Sequence, residues 1–205
     1  LVTLFSPDYF GNPVTRNDWF GHYAEWASFI GILPFVFVFF SLIKKKNDIL
    51  FFLFLGILSL MLAIDSAIAN LIVSLKIPVI STSSLSRAIV LASFSFAVLS
   101  SFGFDNFLNL IKKQAYKKIL FLSFIAVSVI LFLSILPFIL GIPNDKIYIF
   151  IKSLRIPILF LVIYFLAIFF QTKVKTKYFF LVFLVLVASQ SLYFAVKWMP
   201  FDPKE

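Results

Sequence analysis

Long apolar runs separated by short basic turns dominate the chain. A bilayer core about 30 Å thick is crossed by roughly 20 apolar helical residues. Five runs approach that length and a sixth reaches it with a few polar residues: 26–43, 49–64, 87–110, 119–141, 156–171 and 178–196. None alternates apolar and polar positions as a barrel strand does. A helix satisfies its own backbone hydrogen bonds in lipid. The pattern therefore predicts an all-α fold, a polytopic transmembrane bundle of about six spanning helices.

Composition strengthens that reading. Of 205 residues, 62% are hydrophobic and 13% charged, Phe occurs 30 times, and the mean hydropathy is +1.07. No soluble core of this size hides so much apolar surface, which excludes a soluble enzyme and a disordered chain. The net charge of +9 would suggest nucleic acid in a soluble protein. Here ten of the 18 basic residues sit in three short turns, three Lys at 44–46, four at 112–118 and three at 173–177. The remaining segments mix basic and acidic residues. Short Lys-rich turns stay cytoplasmic, so six passes put both termini outside. The absence of Cys removes disulfides, thiolate metal sites and a Cys nucleophile. No signal peptide is recognisable, and the start at Leu1 is expected to reflect a piece of a longer polytopic protein.

The expected domains are an extracytoplasmic loop at 1–25, a helix bundle at 26–196, and the start of an extracytoplasmic tail at 197–205. The first loop is polar, with Pro7, Gly11, Pro13 and Gly21. An outer segment at 65–86 holds an apolar stretch too short to span, which reads as an interfacial or re-entrant half-helix. The alternative is that the second span runs on to about Leu75 with Asp65 buried. The segment 142–155 reads as the last outer loop. Trp26, Trp198 and Tyr148 fall at outer ends and Tyr116 and Tyr178 at inner ends, an ordinary aromatic belt.

Few residues carry candidate chemistry. Ser93, Ala97 and Ser101 recur every four residues, a spacing that lets helix backbones approach closely. Arg87 follows a run of hydroxyls, Ser81, Thr82, Ser83, Ser84 and Ser86, at the outer end of that helix. A guanidinium beside hydroxyls and helix N–H groups suits a phosphate. The bland account is an Arg snorkelling to the headgroups, with Ser84 or Ser86 serving as an N-cap. Asp18, His22 and Glu25 would share a face if a helix begins near Asp18. They suit a metal or acid–base work, or simply a polar loop before the first span. Asp65 and Asn70 flank the second outer segment, and Asp105 and Asn106 form a polar pair at an inner helix end. No metal or cofactor is expected, and no motif for phosphate-loop, zinc or Ser–His–Asp chemistry occurs. Mid-membrane charges, which proton and ion transporters need, are missing from the first, fourth, fifth and sixth runs.

Two stretches carry a resemblance. The first is P-D-Y-F-G-N-P at 7–13, W-F-G-H-Y-A-E at 19–25 and F-I-G-I-L-P at 29–34; the second is S-R-A-I-V-L-A-S-F-S-F-A-V-L-S-S-F-G-F-D-N at 86–106. Both resemble the YfhO-like family of bacterial membrane proteins, relatives of C-class glycosyltransferases. The matching positions are Tyr23, Glu25, Gly31, Arg87, Gly103 and Asp105. The tail W-M-P-F-D-P-K-E is similar to the lead into that family's extracytoplasmic C-terminal domain. The family tends to place Pro and an aromatic before the Arg, whereas here 82–86 is polar apart from Leu85. The resemblance implies a glycosyltransferase using a polyprenyl-phosphate-linked sugar at the outer membrane face of the bacterial plasma membrane. Arg87 would hold the lipid phosphate, and Tyr23, Glu25, His22, Ser84 and Ser86 would line the cleft. The family's catalytic acid would lie in a loop outside residues 1–205, so no catalytic residue is assigned. A lipid or solute transporter and a non-catalytic scaffold are the alternatives.

Overall fold

The computed structural model describes residues 2–11, 28–44, 46–64, 66–76, 85–139, 141, 146–170 and 176–198. These form α1 (Ile32–Ser41), α2 (Asn47–Ala63), α3 (Ala67–Ser74), α4 (Ile89–Lys112), α5 (Tyr116–Ile139), α6 (Ile147–Phe169) and α7 (Thr176–Trp198). Short 3-10 turns at Val2–Leu4 and Leu85–Ala88 complete the described elements, and no strand occurs among them.

Local chemistry explains the boundaries. Gly31 takes φ 105 and starts α1, a conformation an L side chain resists. Ser66 caps α3: its hydroxyl accepts from Ala69 N at 3.2 Å and donates to the Met61 carbonyl. α4 ends in a Schellman turn, with Gln114 at φ 52, Ala115 N bonded to Leu110 O and Gln114 N to Ile111 O. Inside α6, Pro157 leaves the Ser153 carbonyl without its helical donor.

α1 sits at the centre. Every residue of α1 except Phe39 is buried, and its main contacts are with α4, α5 and α6. At ten residues it rises about 15 Å, half of a hydrocarbon core. The expected first span at 26–43 is therefore a buried half-length helix, because the chain from Ser28 to Gly31 is not helical. Among the described residues, four helices are long and apolar enough to cross a membrane: Leu85–Lys112, Tyr116–Leu136, Ile147–Phe169 and Tyr178–Lys197. α2 and α3, bent by 74° at their junction, would make a fifth if they form one span. The helical stretch Ala67–Ser74 fits both the half-helix expected within 65–86 and the alternative, a second span that runs on to about Leu75.

Paired contacts give the helix directions. Ser28 meets Ser93 and Phe40 meets Asn106, so α1 and α4 run parallel. Tyr9 meets Phe150 near the start of α6, and Phe37 meets Tyr164 near its end. α7 runs the other way, with Phe183 against Phe37 and Gln190 against Ile32. α5 opposes α6 through Ser123–Tyr164 and Phe138–Phe150. One end of the bundle thus carries the N-terminal segment, Arg87 and Lys197. The other carries the Lys-rich helix ends at Lys44, Lys112 and Lys113.

Between them lies an aromatic core. Phe37, Phe40, Phe104, Phe107, Tyr164 and Phe183 meet mostly edge-on or tilted, with centroids 5.0–6.4 Å apart. Tyr164 Oη and Ser123 Oγ hydrogen-bond at 2.6 Å within it.

Two expectations need correction. The Ser93–Ala97–Ser101 stripe is not the packing face: Ala97 and Ser101 are exposed and Ser93 is half-buried. The buried face runs one position round, through Ala92, Phe96, Leu99, Gly103 and Phe107, where the backbone at Gly103 lies directly against that of Phe37. The loop expected through 155 ends early, since α6 already starts at Ile147 and carries Lys152 and Arg155 within the helix.

Candidate functional site

A set of buried polar side chains, Thr3, Ser6, Asp8 and Ser28, lies at the Arg87 end. Residues 2–11 do not form an exposed loop there. Thr3, Ser6, Asp8 and Tyr9 are buried against the helix ends. Thr3 Oγ1 and Ser28 Oγ hydrogen-bond at 2.7 Å, and the Ser6 hydroxyl bonds that of Ser153 on α6. Asp8 forms an ion pair with Lys197 in the last turn of α7. The Lys197 ammonium also stands 5.9 Å from the Phe194 ring centroid. Tyr9 lies edge-on to Phe150 at 5.2 Å, and burial pushes its phenol above the ordinary value of 10.0.

A second polar feature lies deeper. Gln190 on α7 is fully buried, and its Oε1 accepts from Ile32 N at 3.2 Å, satisfying one orphan donor of α1. Among the described residues its Nε2 has no hydrogen-bond partner. A Cβ at residue 31 would crowd this cap, standing 3.2 Å from the same Oε1.

Arg87 is exposed on the turn Leu85–Ala88 that leads into α4, beside half-buried Ser86. Among the described residues no carboxylate pairs with Arg87. His22, Tyr23, Glu25 and Ser84 lie outside the described residues, as do Asp18 and Asp65. Of the expected cleft, then, only Ser86 and Arg87 are seen together, and they are sequence neighbours. Asn70 is exposed on α3, and Asp105 is exposed on α4. Asn106 turns inward instead, and its Nδ2 donates to Phe40 O at 3.1 Å, near the end of α1.

Sequence reasoning missed Asp8, Lys197, Ser153 and Gln190. Asp8 and Lys197 are 189 positions apart, and nothing local marks them as partners. Gln190 did carry a signal, as the one amide of its helix, set between Ser189 and Ser191 in a largely apolar run.

On the side of the bundle, Pro34, Phe37, Ser101, Phe104, Phe183 and Val187 line an apolar groove of about 350 Å³ between α1, α4 and α7. The arrangement as described can bind an anion at Arg87 and hydrocarbon in the groove. Asp8 is held by Lys197 and is not available as a free base. No family model, curated protein or solved structure matches the chain.

Proposed function

We propose that this chain is a glycosyltransferase-like protein of a bacterial plasma membrane, binding a polyprenyl-phosphate-linked sugar donor at the outer face. The observation that carries the reading is Arg87. Its guanidinium is exposed on the turn that opens α4 and has no carboxylate partner among the described residues. It shares its end of the bundle with the hydroxyls of Ser86, Thr3 and Ser28. A planar guanidinium offers a phosphate two parallel hydrogen bonds. The Lys-rich turns at the opposite end support an outward-facing Arg87. The side groove is apolar enough for part of a polyprenyl chain. Arg87 binds in this reading, and no residue of the chain is given a catalytic role.

The test is polyprenyl-phosphate binding by the full chain and by Arg87→Lys and Arg87→Ala. A charge-assisted hydrogen bond contributes roughly 1.5–3 kcal/mol, so Arg87→Ala should weaken binding about ten- to a hundredfold. Arg87→Lys should recover only part, since it keeps the charge and loses the fork. Equal affinities across the three would leave Arg87 as an interface anchor.

A further inference from the structure

We infer that the outward face of α6 binds the headgroup of an anionic phospholipid through Lys152 and Arg155, at a site separate from Arg87. Six residues of α6 form one outward stripe at alternating spacings of four and three: Tyr148, Lys152, Arg155, Leu159, Val162 and Leu166. All six are exposed. The spacing keeps them on one helix face. The stripe is sharply divided. Its upper part holds an aromatic and two cations, with the Lys152 ammonium 6.0 Å from the Tyr148 ring centroid. Its lower part is purely aliphatic.

The level of the cations in the fold follows from their neighbours. Ser153 bonds Ser6, and Phe150 packs on Tyr9. Lys152 and Arg155 therefore lie level with the polar end of the bundle but on its outside. Below them, the apolar stretch 156–170 has 15 residues and rises about 22 Å. That is shorter than a hydrocarbon core of about 30 Å. The shortfall draws Arg155 to the boundary between headgroups and chains, where an unpaired guanidinium is costly. Among the described residues neither Lys152 nor Arg155 has a carboxylate partner. A lipid phosphate bearing net negative charge supplies the missing partner, and its acyl chains run down the Leu159–Val162–Leu166 rail. Charge complementarity and the divided stripe fit an anionic phospholipid. A soluble acidic protein would leave the aliphatic half uncovered.

The test uses the intact chain in micelles with equimolar phosphatidylglycerol and phosphatidylcholine, with retained lipid counted by native mass spectrometry. Each interfacial cation is expected to contribute about fivefold, so the wild type should prefer phosphatidylglycerol by roughly 30-fold through this pair. Lys152→Gln/Arg155→Gln should bring the preference close to unity. Lys112→Gln/Lys113→Gln, at the other end, should leave most of it. Both pairs are exposed, and thermal melts of the two variants should match the parent. Equal losses in the two double variants would reduce the effect to general charge attraction and overturn the site. So would a wild type without preference, or a Lys152→Gln/Arg155→Gln variant that retains it. Inorganic phosphate in tenfold excess should not displace the lipid; displacement would show that the pair reads free phosphate instead.

Discussion

The backbone of Gly103 on α4 lies directly against the carbonyl of Phe37 on α1, so closely that any Cβ at 103 would overlap that oxygen. This is where the central half-helix and its main partner meet. Relief would require backbone to move away from backbone. Gly103→Ala should cost about 3 kcal/mol or more, the upper part of the range for overpacking. Gly56 is the control. A Cβ there meets Phe96 Cε1 and Ser95 Cβ at 3.3 Å, a tight contact that needs a shift of only a few tenths of an ångström. Alanine also favours the helix by about 1 kcal/mol, so Gly56→Ala should stay within about 1 kcal/mol of the parent. Thermal melts in detergent check both, and equal melting of Gly103→Ala and Gly56→Ala would contradict the packing.

The Asp8–Lys197 pair ties the N-terminal segment to the last turn of α7. Asp8 is buried, while the Lys197 side chain is 34% exposed, so part of the attraction is screened by solvent. Lys197→Met would remove this ion pair from a buried carboxylate and should cost about 1–3 kcal/mol. The exchange Asp8→Lys/Lys197→Asp should recover part of the loss. A Lys197→Met variant that melts like the parent would mean that the pair adds nothing.

Tyr9 makes stability depend on alkaline pH. Its phenol ionises above 10.0 in the folded chain because burial disfavours the phenolate. The unfolded chain loses that proton first. The stabilisation is therefore complete below about pH 10 and is lost as pH rises through the folded-state value. Tyr9→Phe should flatten this part of the pH–stability curve while leaving its neutral region nearly unchanged. An identical alkaline limb in both proteins would place Tyr9 in solvent.

Sidedness is testable without function. The Lys-rich turns motivate an arrangement with both termini outside. Single cysteines at positions 45, 115 and 175 should resist a membrane-impermeant thiol reagent in intact cells. Cysteines at 12 and 202 should label. Labelling at 115 from outside would reverse the orientation.

The apolar runs determined the class and most of the helices, because lipid leaves a long apolar segment little choice but a helix. α4, α5 and α7 fall within a few residues of 87–110, 119–141 and 178–196. Hydropathy registers how long and how apolar a run is, and neither property says what a helix packs on. The run 26–43 is as apolar as its neighbours, yet α1 is short and central. Gly31 breaks the run, and the side chain that caps α1 at Ile32, Gln190, is 158 positions further along the chain. Spacing likewise pointed to Ser93, Ala97 and Ser101 as the packing face, whereas the buried face of α4, with Gly103 against Phe37, lies one position round. At the candidate site, Arg87 was legible as a cation at a helix start. That residues 3–9 are buried, and that Asp8 meets Lys197, was decided by tertiary structure alone. Long-range polar pairs leave no periodic trace in a sequence; they exist only once the helix ends that carry them are brought together.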